Sequence, residues 1–398
     1  MSLLDRFGGI AREREELLGE GVNPFGVEVE EVHSATEASI QGRRVLLAGT
    51  NNYLGLTFEP SCIEAGREAL EKLGTGTTGS RMANGSLSGH LALERELADF
   101  YGWRSGIIFS AGYLANLAMI TALTGSDDTV LIDMDCHASI YDGCRLSGAQ
   151  ILRFRHNDPD SLAKRLQRLG EKAKRTLIIV EGIYSMLGDR APLAELAAVK
   201  REHGGYLLVD EAHSMGVLGQ HGLGRVEESG TEGDVDLVVG TFSKSLGAVG
   251  GFCVSDRMDL DLIRYTARPY IFTASPSPSV VASVRQALSV IRNRPELKDR
   301  LWESSRRLYH GLAELGYELG PEPSPVVAAT LPTPGTALEF WRRLLLEEGI
   351  YVNLMMPPAT PGGKPLMRCS VSASHTPAQI DAIIEAFRTL RNVSGVNL

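Results

Sequence analysis

Short apolar runs recur along the first two thirds of the chain. RVLLAG (44–49), GIIFS (106–110), DTVLID (128–133), QILRF (150–154), RTLIIVEG (175–182), GYLLVD (205–210) and VDLVVGT (235–241) each predict a buried strand. Between them, stretches such as GYLANLAMITALTG, DPDSLAKRLQRLGEKAK and PLAELAAVKREHG carry apolar residues at helical spacing. Strand–helix alternation with nearly continuous apolar strands predicts an α/β fold, a mostly parallel sheet covered by helices on both faces. Ligands of such sheets bind beyond the carboxyl ends of the strands, so chemistry is sought there.

The pattern changes near residue 275. SPSVVASVRQALSVIRN and KDRLWESSRRLYHGLAELG predict long amphipathic helices, and PVVAATLP, YVNLMM and LMRCSVS predict short strands before a last helix, TPAQIDAIIEAFRTLRN. This organisation predicts a large domain over 51–275 and a smaller C-terminal α+β domain over 276–398. The first fifty residues are expected to hold one helix and a short strand pair turning at QG (41–42). The opening segment MSLLDRFGGIAREREELLGE carries both charge signs and lacks a basic leader before an apolar core, so no signal peptide is expected. Contact with a membrane is expected to be peripheral at most, because no run of eighteen apolar residues exists.

Composition narrows the function. The chain has 398 residues, 43% of them apolar, enough for more than one domain. Its formal charge of -9, with no long Lys/Arg run, argues against nucleic acid as a partner. The cysteines are scattered without CxxC spacing, which predicts reduced thiols, a cytoplasmic location and no metal. DEAH (210–213) matches a helicase box, but no G-x-x-x-x-G-K-[ST] phosphate loop accompanies it. Gly74, Gly76 and Gly79 in GTGTTGSR match G-x-G-x-x-G, yet the preceding SCIEAGREALEKL reads as helix where a dinucleotide site needs a strand. That segment is expected to be a glycine-permitted loop near an active site.

Of eight lysines, seven lie among charged or loop residues. Lys244 sits just after a buried strand, in the small-residue run VVGTFSKSLGAVGGF, where Thr241 and Ser243 could bind a phosphate. Asp210 ends the strand GYLLVD, where a carboxylate could keep a pyridine nitrogen protonated, and His213 could reach a neighbouring phenolic oxygen. His137 in DMDCHASIYDG follows another strand end and could stack on an aromatic ring. Gly112 and Tyr113 open a helix after GIIFS, and free N–H groups at a helix start suit a phosphate. A lysine, an acid, two histidines and a phosphate-type helix start at the strand ends of one sheet are what pyridoxal 5'-phosphate requires.

HASIYDG, EGIYSMLGD, DEAHSMGVLG and GTFSKSLGAVGG, in that order, resemble the α-oxoamine synthases among the fold-type I pyridoxal-phosphate enzymes. The resemblance extends from NNYLGL (51–56) through GTGTTGSRMANGSLSGH (74–90) to LMRCSVSASHT (366–376). SIYDGC, GTFSKS, RPYIFTAS (268–275) and PPATP (357–361) are most similar to bacterial members that use serine and a long-chain acyl thioester. Relatives that make other amino-ketones more often carry glycine where this chain has Ser243.

The resemblance implies the following. Lys244 forms the Schiff base and removes the α-proton of L-serine. Asp210 holds the pyridinium, His213 the ring oxygen, and His137 stacks on the ring. Ser185 and Thr241 lie near the cofactor, while Thr273 and Ser275 reach the phosphate of a neighbouring subunit, so a homodimer with shared sites is expected. Asn52 and Arg368 bind substrate, and a guanidinium suits a carboxylate. The acyl donor is a coenzyme A or acyl-carrier-protein thioester. One departure stands out: some members place a second arginine just before PPATP, where this chain has Met356. Carboxylate binding then rests on Arg368 and His137, and LMMPPATPGG could line the acyl route. Two alternatives remain at this point, a synthase using glycine or alanine with a shorter thioester, and a catalytically silent partner subunit, whose usual mark is a lost lysine.

Overall fold

A computed structural model describes residues 2–3, 5–9, 11, 15, 23–256 and 258–393. The expected N-terminal helix lies largely outside these residues. In chain order the strands are β1 (Glu31–Val32), β2 (Glu37–Ile40), β3 (Arg43–Leu47), β4 (Ser105–Phe109), β5 (Thr129–Asp133), β6 (Gln150–Phe154), β7 (Thr176–Glu181), β8 (Tyr206–Asp210), β9 (Leu237–Thr241), β10 (Gly251–Ser255), β11 (Val326–Thr330), β12 (Ile350–Tyr351), β13 (Asn353–Met355) and β14 (Leu366–Ser370).

Seven of them form the central sheet in the order β4-β10-β9-β8-β7-β5-β6. β8 pairs in parallel with both β7 and β9, and β5 with both β6 and β7. Only β10 runs antiparallel, to β4 and β9. Both faces are covered along β5, β7 and β9, which explains their unbroken apolar runs, whereas the edge strand β6, expected to be buried, buries only Phe154 fully. Along β5, Val130 and Ile132 pack on one side with Met119 and Ile120 of helix Gly112–Leu123, while Leu131 packs on the other.

Two differences from the sequence-based expectation are physical. β10 was not predicted, because its GFCVS run is short and glycines stand at 250 and 251. Those glycines are required by close approach: a Cβ on Gly251 would lie 2.6 Å from the Ala111 carbonyl oxygen and from Gly112 Cα. The run at 44–49 supplies β3, which joins a separate sheet, β1-β2-β3-β12, and whose first two residues are exposed. β12 enters that sheet in parallel, so chain from near residue 350 completes the N-terminal strand pair. A third sheet, β11-β14-β13, is antiparallel, and the Ser370 amide donates to the Ala48 carbonyl at 2.7 Å. The first helix past the change in pattern, Pro278–Asn293, packs on helices Pro60–Leu73 and Ser88–Tyr101. The parallel strands end at Asp133, Glu181, Asp210 and Thr241, which places their carboxyl ends side by side.

Candidate active site

Asp210 closes β8 almost fully buried. Its Oδ1 accepts from the Ala212 amide at 2.9 Å and its Oδ2 from Asn116 Nδ2 at 2.7 Å. Glu181 ends β7 in register beside it and is equally buried. Burial pushes the Glu181 carboxyl well above the usual range, and the neighbouring Asp210 charge pushes it further. Lys244 follows β9 in a half-buried position. Desolvation pulls its ammonium down to about 8, while Asp210 and Glu181 pull it back up and Arg368 lowers it further. One lysine thus feels both strand-end carboxylates and the arginine.

His137 caps helix Ala138–Ser147. Its Nδ1 accepts from the Ser139 amide at 3.2 Å and lies 2.8 Å from Ser139 Oγ, and its own amide donates to Glu181. The residue is exposed, yet the protein around its ring lowers the imidazole by desolvation, with Asp210 opposing and Lys244 assisting. His213 is buried, with Nδ1 2.7 Å from the Tyr53 hydroxyl. Desolvation, then the charges of Lys244 and Arg368, hold it well below its ordinary value, so it is neutral at physiological pH.

The helix Gly112–Leu123 begins at Ala111, which offers no side-chain cap, so the first N–H groups point unspent toward the strand ends. A Cβ on Gly112 would come within 2.8 Å of Thr241 Oγ1. The Thr241 hydroxyl lies 2.9 Å from Ser243 Oγ and donates to the Gly250 carbonyl at 3.0 Å. Tyr113 is exposed, donates to Asp142 and stands edge-on to His137 with ring centroids 6.3 Å apart.

Arg368 lies buried in β14. Its Nε donates to the Ser185 carbonyl at 2.6 Å, Nη1 to Ser370 Oγ at 2.9 Å, and both terminal nitrogens to Asn51 Oδ1 at 3.2 and 3.3 Å. The asparagine brought to this guanidinium is therefore Asn51. Asn52 turns to Thr57 at 2.7 Å and leaves its own buried Oδ1 without a partner among the described residues. Met356 packs half-buried against the core. The segment holding Thr273 and Ser275 is met by the Ser110 hydroxyl, which donates to the Ala274 carbonyl just before the helix start at Gly112. Ser275 Oγ is 2.6 Å from Thr77 Oγ1 and its amide donates to the Gly79 carbonyl at 3.0 Å, so the glycine loop after helix Pro60–Leu73 braces this segment.

Sequence reasoning missed Asn51, Tyr53, Asn116, Ser139 and Glu181. It also missed His156, which lies 2.9 Å from Asp133 Oδ1 and 2.6 Å from Asp189 Oδ2, edge-on to Tyr184. Among the described residues no helix is long and apolar enough to cross a membrane, no group of side chains has metal-binding geometry, and all five cysteines are free and buried.

The donor set fits pyridoxal 5'-phosphate on four counts. A lysine of lowered basicity and a buried carboxylate act on one another. A neutral histidine and an uncapped helix start with adjacent hydroxyls complete the set. The fold and this set define a fold-type I pyridoxal-phosphate enzyme. The chain belongs to the aminotransferase class I and II family, whose description matches residues 43–387, and its relatives are α-oxoamine synthases. It is 56% identical over 376 residues to the serine palmitoyltransferase of Caulobacter vibrioides, covering 94% of this chain and 93% of that one. It is 49% identical over 397 residues to the serine palmitoyltransferase of Sphingomonas paucimobilis, covering 99% and 94%. A high-resolution structure of a serine palmitoyltransferase holding pyridoxal phosphate as its internal aldimine superposes with a TM-score of 0.96, at 49% identity and 100% coverage of both chains.

Proposed function

We propose that this chain condenses L-serine with a long-chain acyl thioester, with loss of carbon dioxide, to give 3-ketodihydrosphingosine, the first step of sphingolipid synthesis. It is a pyridoxal-phosphate-dependent acyltransferase. The observation that carries the reading is full-length likeness to serine palmitoyltransferases in a chain that keeps Lys244, Asp210, His137 and His213 together.

When bound, pyridoxal phosphate supplies an electron sink for the charge left on the serine α-carbon. The chain's own residues do the rest. Lys244 Nζ would hold the cofactor and, as a neutral amine, would take the α-proton, for which a value near 8 is well matched. Asp210 keeps a proton on the ring nitrogen; the hydrogen bonds from Asn116 and Ala212 fix its carboxylate for that task. His213 would hold the ring oxygen, and His137 would orient the ring. The helix start at Gly112, with Tyr113, Thr241 and Ser243, holds the phosphate. Arg368 takes the serine carboxylate. Asn51 Oδ1 already receives an N–H from each of its terminal nitrogens, the place where a carboxylate oxygen would bind. Met356 supplies no second cation, so His137 shares that carboxylate.

The finer assignments belong to the same proposal. Thr273 and Ser275 serve the partner subunit's site in a homodimer. Phe272, next to Thr273 in the chain, is exposed by 72%, as suits an apolar side chain that a partner covers. The acyl donor is a coenzyme A or carrier-protein thioester, met in the cytoplasm.

Spectral titration tests the reading. The protein loaded with pyridoxal phosphate should change its visible absorbance with L-serine at lower concentration than with glycine or alanine. With palmitoyl-coenzyme A it should then yield a C18 amino-ketone. A saturating response to glycine or alanine, with product only from short thioesters, would overturn it.

A further inference from the structure

One asparagine touches both halves of the site. Asn116 lies in helix Gly112–Leu123, buried beneath the strand ends. Its Nδ2 donates to Asp210 Oδ2 at 2.7 Å and to Ser139 Oγ at 3.0 Å, while its Oδ1 is buried with no partner among the described residues. The orientation is forced. Turned over, the amide would set its oxygen 2.7 Å from a carboxylate oxygen. A buried amide oxygen left unbonded costs about 1–3 kcal/mol. Alanine at this helix position would avoid that penalty but would strip the buried Asp210 Oδ2 of its donor, so the asparagine is kept for what its amide holds.

Donor counting carries the arrangement further. Ser139 Oγ accepts from Asn116, so its single proton goes to the nearest remaining acceptor, His137 Nδ1 at 2.8 Å. The Ser139 amide, which can only donate, also points at Nδ1, from 3.2 Å. Two donors on one ring nitrogen leave the proton of the neutral imidazole on Nε2. We propose that Asn116 is a positioning residue: its amide fixes the Asp210 carboxylate and, through the Ser139 hydroxyl, holds His137 in the Nε2–H tautomer, with a donor directed at the substrate carboxylate. The part concerning cofactor and substrate rests on the reading above; the tautomer of His137 does not.

The test uses full-length protein loaded with pyridoxal phosphate and labelled with 15N-histidine, the His137 signals being assigned by their loss in His137→Asn. The wild type should show Nδ1 unprotonated and Nε2 protonated. Ser139→Ala, which leaves only the backbone amide on Nδ1, should raise the Nδ1–H fraction above that of the wild type, raise the KM for serine about tenfold with a smaller change in kcat, and leave the cofactor dissociation constant within about twofold. Ser139→Thr, which keeps the hydroxyl, should restore the tautomer and the KM. Asn116→Ala should mix the tautomers and also weaken pyridoxal phosphate binding about tenfold. An Nδ1–H tautomer in the wild type, or unchanged spectra and binding in both alanine variants, overturns the proposal. Failure of the wild type to take up pyridoxal phosphate would instead defeat the cofactor reading, and the labelled cofactor-free chain would still decide the tautomer.

Discussion

Lys244 sets when the site can load. A lysine at its ordinary value is almost wholly protonated at neutral pH and a poor nucleophile; desolvation brings this one to about 8. Its neutral fraction therefore rises with pH through that value and saturates above it. The rate at which cofactor-free protein captures pyridoxal phosphate, followed by stopped-flow absorbance, should climb from pH 6.5 and level off above about 9. A midpoint near the ordinary lysine value would show that Lys244 is not desolvated as described. Borohydride reduction of the loaded protein should leave a label on the Lys244 peptide, absent in Lys244→Ala. Lys244 was legible because a lysine among small residues after a buried strand has no surface task. Asp210, His137 and His213 were legible because polar residues at strand ends stand out against apolar runs. Asn116 was not, since a polar residue within GYLANLAMITALTG reads as one more position on a helix. Glu181 was hidden for the opposite reason: it continues a strand, and only pairing in register with Asp210 reveals two carboxyls side by side.

At the scale of elements, the strand ends stay in place because side chains tie them together. His156 bridges the end of β5, through Asp133, to Asp189 in the segment that carries the Ser185 carbonyl used by Arg368. Desolvation opposes its charge, but hydrogen bonds to Asp133 and Asp189 outweigh that and raise it to about 10. A folded-state value above the unfolded one, near 6.5, gives stability that is complete below about pH 6.5 and is lost as pH rises through about 10. His156→Ala leaves two carboxylates facing each other and should cost about 3–5 kcal/mol at pH 6. The gap in melting temperature between wild type and variant should narrow steadily toward pH 10; a constant gap would mean the imidazolium contributes nothing beyond packing on Tyr184. The sequence concealed this staple because the histidine and its partners lie on three separate segments. β10 was concealed by its own chemistry. Glycine at 251 lets the backbone meet Ala111 and Gly112, and a methyl group there would strike atoms that cannot turn aside. Gly251→Ala should destabilise the fold by about 1–3 kcal/mol and weaken pyridoxal phosphate binding, because it displaces the helix start proposed to hold the phosphate.

At the scale of the whole molecule, the site assembled by one chain leaves Thr273 and Ser275 unused. They sit beside exposed Phe272, on a segment braced by the Thr77–Gly79 loop. A braced segment next to an exposed apolar side chain suits delivery to a second copy, and two-fold symmetry would make the exchange mutual. The consequence is complementation. On the proposed assignment, Lys244→Ala would destroy a chain's own site, and Thr273→Ala with Ser275→Ala would damage the site of its neighbour. Random reassociation of equal amounts makes about half the dimers mixed, and each mixed dimer holds one site with both lesions and one with neither. The mixture should therefore recover about a quarter of wild-type serine-dependent activity per chain, from two preparations that are each nearly inactive alone. If Thr273 and Ser275 served their own chain, no mixed dimer would contain an intact site and activity would stay at the level of the separate variants. If the double variant were unimpaired alone, those hydroxyls would have no part in holding the phosphate. Sedimentation of the wild type as a dimer, with a shift to monomer in Phe272→Asp, would tie the shared sites to the apolar side chain beside them.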